Sequence, residues 1–140
     1  MIGYIYKIQK NDNMYIGSTT QTLTSRQYKH NFKLKDNIYQ YRLYKFCRNN
    51  NITNIILQEI EEVEVETKKD LFKIEQKYMN FFKPNLNERK SYRTKEERLI
   101  YDRERHSKKK ECPICKRIMR SDSLIKHLKK KTCIKSIMNE

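Results

Sequence analysis

A carboxylate stands inside an apolar helical stripe in residues 68–83. Leu71, Glu75 and Phe82 lie along one helical row, and Phe81 is expected to join the same core-facing stripe. Burying a polar group without partners costs about 2–7 kcal/mol, so a glutamate here either reaches water at the edge of the stripe or faces a cation. In the second case it would be a metal ligand.

Two basic groups take an equivalent position in residues 22–35. Arg26 and His30 lie one helical turn apart, between Leu23 and Leu34 on the same face. A guanidinium and an imidazole that face inward need a compensating partner. That partner is either the row that contains Glu75 or a ligand shared with it. A metal ion on the carboxylate, with a phosphate between that ion and the guanidinium, would satisfy both rows. The two rows together predict a site for phosphate chemistry.

The N-terminal stretch GYIYKIQKNDNMYIGST, residues 3–19, contains both glycines of the chain and is rich in tyrosine. Gly17 lies where the second of two predicted strands must turn toward a helix, and a side chain there would crowd a cleft. Gly3 is assigned only to the start of the first strand. Tyrosine is favoured in strands, and this alone could account for Tyr6 and Tyr15.

Three of the four cysteines lie near the C-terminal end. Cys112 and Cys115 form a Cys-x-x-Cys pair, followed by eleven residues and His127, then by five residues and Cys133. Tetrahedral Zn²⁺ takes Cys and His in this combination, and such a site would be structural. The alternative is a set of unpaired, reduced thiols. Cys47 lies apart and is assigned to a small, buried apolar position.

The same segment resembles a zinc finger of the ββα type, because a Cys-x-x-Cys turn precedes a Leu-x-x-His helix. Its small core would take Leu124, one of Ile125 and Leu128, and one of Ile118 and Met119. Its helix would present lysines to phosphate groups, namely Lys126, Lys129, Lys130 and Lys131.

Turn, cap and periodicity signals divide the chain into three parts. Residues 1–87 are predicted to form an α+β domain, with a small three-stranded antiparallel sheet flanked by helices. Residues 88–111 are too charged to bury a core and are predicted to form a basic linker, helical or frayed. Residues 112–140 hold the zinc finger. The strands are expected at 3–9, 14–17 and 54–63, and the helices at about 22–35, 38–49 and 67–83.

The chain carries 32 basic and 17 acidic side chains, a net charge of +15. Residues 1–87 hold 14 basic and 9 acidic side chains and residues 88–140 hold 18 and 8, so two thirds of the excess lies in the second part. This favours a polyanionic partner over an evenly charged solubility surface. A membrane surface is the competing polyanion. No long apolar run and no signal peptide is found, so we expect a soluble, intracellular protein that acts on nucleic acid.

The N-terminal pattern resembles the signature of the GIY-YIG nucleases. Tyr-Ile-Tyr at 4–6 stands where that family has its first triplet, with tyrosine in place of the first glycine, and Tyr-Ile-Gly at 15–17 reproduces the second triplet. The likeness covers residues 3–87, and it implies that Asn87 fixes the cleft by hydrogen bonding. The further site positions of the family are matched, in order, by Arg26, His30, Glu75 and Asn87.

The resemblance implies a phosphodiester hydrolase with one catalytic metal ion, Mg²⁺ or alternatively Mn²⁺, held by Glu75. Arg26 would contact the scissile phosphate. Tyr6 would activate the attacking water, which needs a nearby cation or a proton relay because an ordinary phenol has a pKa of about 10. Tyr15 and His30 would orient that water and relay protons.

A nuclease domain, a charged linker and a small finger together resemble the homing-type endonucleases of mobile elements and large DNA viruses. In such a protein the linker and finger would anchor the catalytic domain on double-stranded DNA. Two alternatives stay open: a structure-specific repair or recombination nuclease with the same site, and a non-catalytic DNA-binding protein that retains the scaffold. RNA also stays open as a substrate. The sequence indicates no obligate protein partner and does not distinguish nucleus from cytoplasm.

Overall fold

The computed structural model describes residues 1–129 and 133. The chain divides into two compact units, Met1–Tyr92 and Arg93–Glu140, so the first unit runs past the domain end predicted at residue 87. It holds three strands and three helices in the predicted order, and the prediction of an α+β fold with a three-stranded antiparallel sheet is confirmed. Its elements are β1 (Ile2–Lys10), β2 (Asn13–Thr19), α1 (Leu23–Lys35), α2 (Arg42–Asn49), β3 (Gln58–Glu64) and α3 (Lys68–Phe82).

Strand β1 is the centre of the sheet, whose order is β2-β1-β3. Its side chains point alternately into two separate apolar layers. Ile5 packs in the layer formed with α3, whereas Tyr6 and Ile8 pack in the layer formed with α1 and α2, where Cys47 is buried as predicted. Because both faces of β1 are covered, the strand carries apolar and aromatic residues on both sides and lacks the apolar–polar alternation of a half-exposed strand.

Helices α1 and α3 begin where the sequence predicts. The side chains of Thr22 and Thr67 each accept a hydrogen bond from the backbone N–H three residues further on, at 3.3 Å in both cases. At the end of α3, Lys83 adopts a left-handed conformation with φ of 48°. Pro84 follows and cannot continue the helix.

Strand β3 begins later than predicted, at Gln58 instead of residue 54. The cause is a pair of side chains on α1 that take backbone donors of the preceding segment. The N–H of Ile55 donates to the side-chain oxygen of Asn31 at 2.6 Å. The N–H of Leu57 donates to that of Gln27 at 2.9 Å. The segment before β3 is therefore tied to α1 and joins the sheet only afterwards.

Helix α2 also begins later than predicted, at Arg42 instead of residue 38. The side chain of Arg48 is one of those that hold the preceding loop. Its guanidinium donates to three backbone carbonyl oxygens, those of Leu34, Asp36 and Tyr39. These charge-assisted hydrogen bonds stabilise a loop where the helical pattern alone indicates another turn of helix.

The prediction for the apolar face of α3 is correct only in part. Leu71 is buried, but Phe81 is 79% exposed and Phe82 is 38% exposed. Phe81 lies about 120° around the helix from Glu75, so it points away from the sheet when Glu75 faces inward. Gly3 has a role beyond starting a strand, since a Cβ there would lie 2.7 Å from Leu71 Cδ1. Glycine at this position allows α3 to approach β1 closely.

The second unit begins with α4 (Lys95–Ser107), which lies within the predicted basic linker and starts with a capping box formed by Thr94 and Glu97. The strands β4 (Lys109–Glu111) and β5 (Ile118–Arg120) pair antiparallel, and α5 (Leu124–Leu128) follows. Leu124, Leu128 and Met119 are half-buried, whereas Ile118 and Ile125 are exposed. Lys126 and Lys129 are exposed, and Lys130 and Lys131 lie outside the described residues. Among the helices of the described part, none combines the length and apolar character needed to cross a membrane.

Candidate active site and candidate metal centre

The residues predicted to do chemistry in the first unit meet at one cleft of about 250 Å³. One further residue, Tyr6, is enclosed beneath the cleft with 0% of its surface exposed. The sequence pattern therefore identified residues that are far apart in the chain and close together in the fold. The predicted site residues on the cleft wall are Tyr15, Arg26, His30, Glu75 and Asn87.

The hydroxyl of Tyr6 is the hub beneath the cleft. Arg26 donates to it from Nε at 2.9 Å, and a hydrogen bond of 2.9 Å joins it to His30 Nε2. A Cβ atom at Gly17 would lie 2.6 Å from this oxygen, closer than a carbon atom can approach. Glycine at position 17 is thus required by the Tyr6 hydroxyl. The prediction that the strand ends at Gly17 is wrong, because Gly17 pairs with Tyr6 and β2 continues to Thr19.

Burial raises the pKa of both Tyr6 and Tyr15. For Tyr6, the charge of Arg26 and hydrogen bonds from Arg26 and Tyr15 oppose this effect, while Glu75 adds to it. For Tyr15, the neighbouring Tyr6 and Glu75 raise the pKa further. Neither phenol is ionised in the protein alone. A role for either as a base therefore depends on a nearby cation or on a path that removes the proton, as expected from the sequence.

His30 is buried, with 3% of its surface exposed, and both of its ring nitrogens are engaged. Its second nitrogen, Nδ1, is joined to the hydroxyl of Tyr44 at 3.0 Å. Burial lowers the pKa of His30 to about 3, and the nearby charges of Arg26 and Lys33 act in the same direction. The imidazole is therefore neutral at neutral pH.

Glu75 is the buried carboxylate of the site, with 9% of its surface exposed. Its Oε2 accepts a hydrogen bond from the Ser18 hydroxyl. Burial raises the pKa of Glu75, whereas hydrogen bonds from Ser18 and Ser91 and the charge of Arg26 oppose the increase. Glu75 therefore lines the cleft as a buried carboxylate and is not a solvated group at the edge of an apolar stripe.

Asn87 acts on the backbone of β2. Its Oδ1 accepts from the N–H of Ile16 at 2.9 Å, and its Nδ2 donates to the carbonyl of the same residue at 2.7 Å. Asn85 accepts from Met14 N–H at 2.9 Å, and the N–H of Leu86 donates to the Met14 carbonyl at 3.0 Å. The segment after α3 thus replaces a fourth strand along β2. This geometry is in line with the structural role expected for Asn87.

The sequence reasoning did not name Ser18 or Tyr44 as site residues. Ser18 directly follows the Tyr-Ile-Gly triplet, and Tyr44 lies on α2. A weak signal exists for Tyr44, because a tyrosine on a buried helical face usually finds a hydrogen-bond partner for its hydroxyl. No comparable signal exists for Ser18, because its partner Glu75 lies 57 residues away.

The buried, neutral His30 predicts a specific dependence of stability on pH. The unfolded state binds the extra proton below pH 6.5 and the folded state only near pH 3, so stability falls as the pH drops through this window. In urea unfolding, wild-type protein should lose about 2–3 kcal/mol more than His30→Gln between pH 7 and pH 4.5. His106→Gln, a change at an exposed histidine, should keep the wild-type slope. Equal slopes for wild type and His30→Gln would refute this assignment.

The candidate metal centre lies in the second unit. One ligand atom from each of Cys112, Cys115, His127 and Cys133 can be chosen such that all four lie within 4.8 Å of one another. The Cys112 and Cys133 sulfurs are 3.5 Å apart, and the Cys115 sulfur lies 3.2 Å from His127 Nε2. Two sulfurs at 2.3 Å from a tetrahedral Zn²⁺ would be about 3.8 Å apart. The cluster could therefore hold a metal ion such as zinc.

Local backbone structure positions the first two cysteines. The N–H of Lys116 donates to the Cys112 carbonyl at 3.0 Å, and the Cys112 N–H donates to the Arg117 carbonyl at 2.9 Å. Lys116 adopts a left-handed conformation with φ of 59°. This tight turn between β4 and β5 brings Cys112 and Cys115 to the same side, and α5 supplies His127.

We expect the purified protein to contain one Zn²⁺ per chain, measured by elemental analysis. His127→Ala should lower the zinc content to a small fraction, because removing a ligand opens the tetrahedral site. His106→Ala, a matched change at a histidine of the same unit outside the cluster, should retain the metal. A His127→Ala protein that still holds one zinc per chain would rule out the proposed ligand set.

The geometry above is argued from this chain alone. Comparisons with protein-family models, with curated proteins and with solved structures found no match to it. The likeness to the GIY-YIG nucleases consequently rests on the triplets and on the residues that line the cleft, and the activity of the protein is taken up as a proposal.

Proposed function

We propose that this chain is a metal-dependent endonuclease that hydrolyses phosphodiester bonds in DNA, as expected from its resemblance to the GIY-YIG nucleases. One observation supports this more than any other. The guanidinium of Arg26 and the carboxylate of Glu75 line the same cleft, together with the phenol of Tyr15. A cation on the carboxylate and a phosphate beside the guanidinium would balance both buried charges.

Glu75 is the residue that would hold the catalytic ion, and hard-oxygen chemistry favours Mg²⁺, with Mn²⁺ as the alternative. Such an ion would polarise the phosphoryl oxygens and stabilise the charge that develops on them. The other acidic residue on the cleft wall, Glu88, accepts a hydrogen bond from the backbone N–H of Arg42 at 2.7 Å. This hydrogen bond engages the Glu88 carboxylate at the N-terminus of α2. The engagement of Glu88 supports a single catalytic ion, held by Glu75.

Arg26 is oriented by the hydrogen bond from its Nε to Tyr6. The two terminal nitrogens of the guanidinium are then the ones that can meet a phosphate. A planar fork held in this way can donate two parallel hydrogen bonds to the scissile group. Lysine could not reproduce this arrangement, because its ammonium offers a point charge without a fixed plane.

Tyr15 and Tyr6 would have different roles toward the attacking water, because they differ in exposure. Tyr15 lines the cleft and would orient the water. Tyr6 lies beneath and would take up the proton of the water. Tyr6 can accept a proton only after losing its own, so the reaction needs a route by which the Tyr6 proton leaves.

The second unit fits the role of an anchor on DNA. The charge excess of residues 88–140, the exposed helix α4, and the exposed Lys126 and Lys129 offer contacts to phosphates. Phosphate contacts of this kind supply affinity that falls steeply with salt. A tethered anchor raises the effective concentration of the catalytic unit at its substrate. This arrangement supports a homing-type endonuclease as the proposed class.

The decisive variant is Glu75→Gln, which removes the negative charge and keeps the size of the side chain. With supercoiled plasmid and Mg²⁺, we expect the rate of nicking or linearisation to fall about 100-fold or more, because the ion would lose its protein ligand. Glu66→Gln, a matched change at an exposed glutamate just before α3, should cleave at the wild-type rate.

Undiminished cleavage by Glu75→Gln would exclude the metal assignment, and an inactive wild-type protein that binds plasmid would support a non-catalytic DNA-binding protein instead. Linear, nicked and branched duplexes tested side by side separate the remaining classes. Equal cleavage of all three supports the homing-type proposal, whereas a strong preference for branched DNA supports a structure-specific repair nuclease.

A further inference from the structure

Three side chains form a continuous chain of hydrogen bonds that leads from beneath the cleft to its wall. Tyr6 is joined to His30 at 2.9 Å, and His30 is joined to Tyr44 at 3.0 Å. The ring of Tyr15 lies against that of Tyr6, with the ring centroids 6.4 Å apart. Tyr15 and Tyr44 line the cleft. The inner members, Tyr6 and His30, are enclosed, with 0% and 3% of their surfaces exposed.

The hydrogen atoms of this chain can be assigned from the partners. Arg26 has only donors and gives its Nε hydrogen to the Tyr6 oxygen. The Tyr6 oxygen accepts from Arg26 and lies 2.9 Å from His30 Nε2, so its own hydroxyl hydrogen can go to that nitrogen. In a neutral imidazole the other nitrogen then carries the hydrogen, so Nδ1 donates to the oxygen of Tyr44.

The imidazole cannot simply keep a proton that it receives from Tyr6. The charged form of His30 is disfavoured by burial and by two cations of α1, Arg26 and Lys33. The other groups that face it are phenols: Tyr6 from β1, Tyr15 from β2 and Tyr44 from α2. In their neutral forms these phenols carry no negative charge, and a phenolate left at Tyr6 would be engaged by Arg26. A proton that arrives at Nε2 is therefore best balanced by the departure of the proton on Nδ1.

We propose that Tyr44 ends a proton relay that runs from Tyr6 through His30 to the cleft. The proposal rests on the proposed nuclease function and adds a residue to it. Tyr44 acts through His30 and is a positioning residue. The attacking water would be contacted by Tyr15, which lines the cleft. Without the Tyr44 hydroxyl, the Nδ1 hydrogen of His30 has no acceptor at this end of the chain.

The relay balances as follows. The O–H bond of Tyr6 breaks as an N–H bond forms at His30 Nε2. The N–H bond at Nδ1 breaks as its hydrogen moves to the Tyr44 oxygen, and the original Tyr44 hydrogen passes to a water molecule in the cleft. Tyr6 is left as a phenolate that Arg26 stabilises, and His30 remains neutral throughout. The phenolate then takes up the proton of the attacking water as the new O–P bond forms. The leaving P–O bond breaks as its oxygen takes up the proton that Tyr44 released to the cleft water.

The test compares Tyr44→Phe with Tyr39→Phe, which removes a hydroxyl from a ring that packs against Tyr44 at 6.4 Å but lies outside the relay. Tyr44→Phe should lower kcat about 10-fold or more with little change in KM, because general acid–base catalysis contributes about 10²–10⁴. Tyr39→Phe should keep the wild-type kcat. In mixtures of H₂O and D₂O, the wild-type rate should depend on deuterium content with the curvature of several protons in flight. The Tyr44→Phe rate should follow a straight line.

Nitrogen NMR of the wild-type protein without substrate reports which ring nitrogen of His30 carries the hydrogen. This readout does not depend on activity. His30 should carry its hydrogen on Nδ1, and finding it on Nε2 would overturn the relay. Active wild-type protein whose Tyr44→Phe variant matches Tyr39→Phe in kcat and isotope dependence would overturn the relay alone. Wild-type protein without any nuclease activity would overturn the proposed function and the catalytic relay with it.

Discussion

The first unit is organised around one oxygen atom, the hydroxyl of Tyr6. It holds the guanidinium of Arg26 and the imidazole of His30 from α1, and through His30 it is joined to Tyr44 of α2. The position of this oxygen requires glycine at residue 17 on the neighbouring strand. A central strand, its neighbouring strand and two helices are thus constrained by a single polar group that has no contact with bulk water.

The same arrangement leaves charged groups where an ordinary core would place apolar ones. Glu75 is buried with hydroxyl partners, and Arg26 is held by a phenol, so neither residue meets its opposite charge in a direct pair. Burial of such groups costs stability unless a ligand compensates for it. This cost supports the proposal that the cleft binds a cation and an anion. Binding of both would also stabilise the fold, because a ligand selects the folded state.

Local features of the structure could be predicted from the sequence, and long-range side-chain contacts could not. The order of the elements and the caps at Thr22 and Thr67 follow from turn and cap chemistry over a few residues. The late start of β3 could not be predicted, because it depends on Asn31 of α1 meeting the backbone of Ile55. The meeting of Glu75 with Arg26 and His30 was expected from the two charged helical rows, whereas the place of Asn87 was expected only through the resemblance. The hydrogen bond between Tyr44 and His30 depends on how α2 packs against α1. Helical periodicity predicts that Tyr44 faces inward but does not show whether its partner is polar or apolar.

The central claim is that the carboxylate of Glu75 and the guanidinium of Arg26 hold a cation and a phosphate together in one cleft. The most direct measurement is a crystal structure with Mn²⁺ and a duplex whose scissile linkage resists hydrolysis, using the anomalous signal of manganese. The account predicts a single manganese peak at the Glu75 carboxylate, with one phosphate between that ion and Arg26. Manganese bound elsewhere, or a duplex that passes the first unit without placing a phosphate in this cleft, would contradict it.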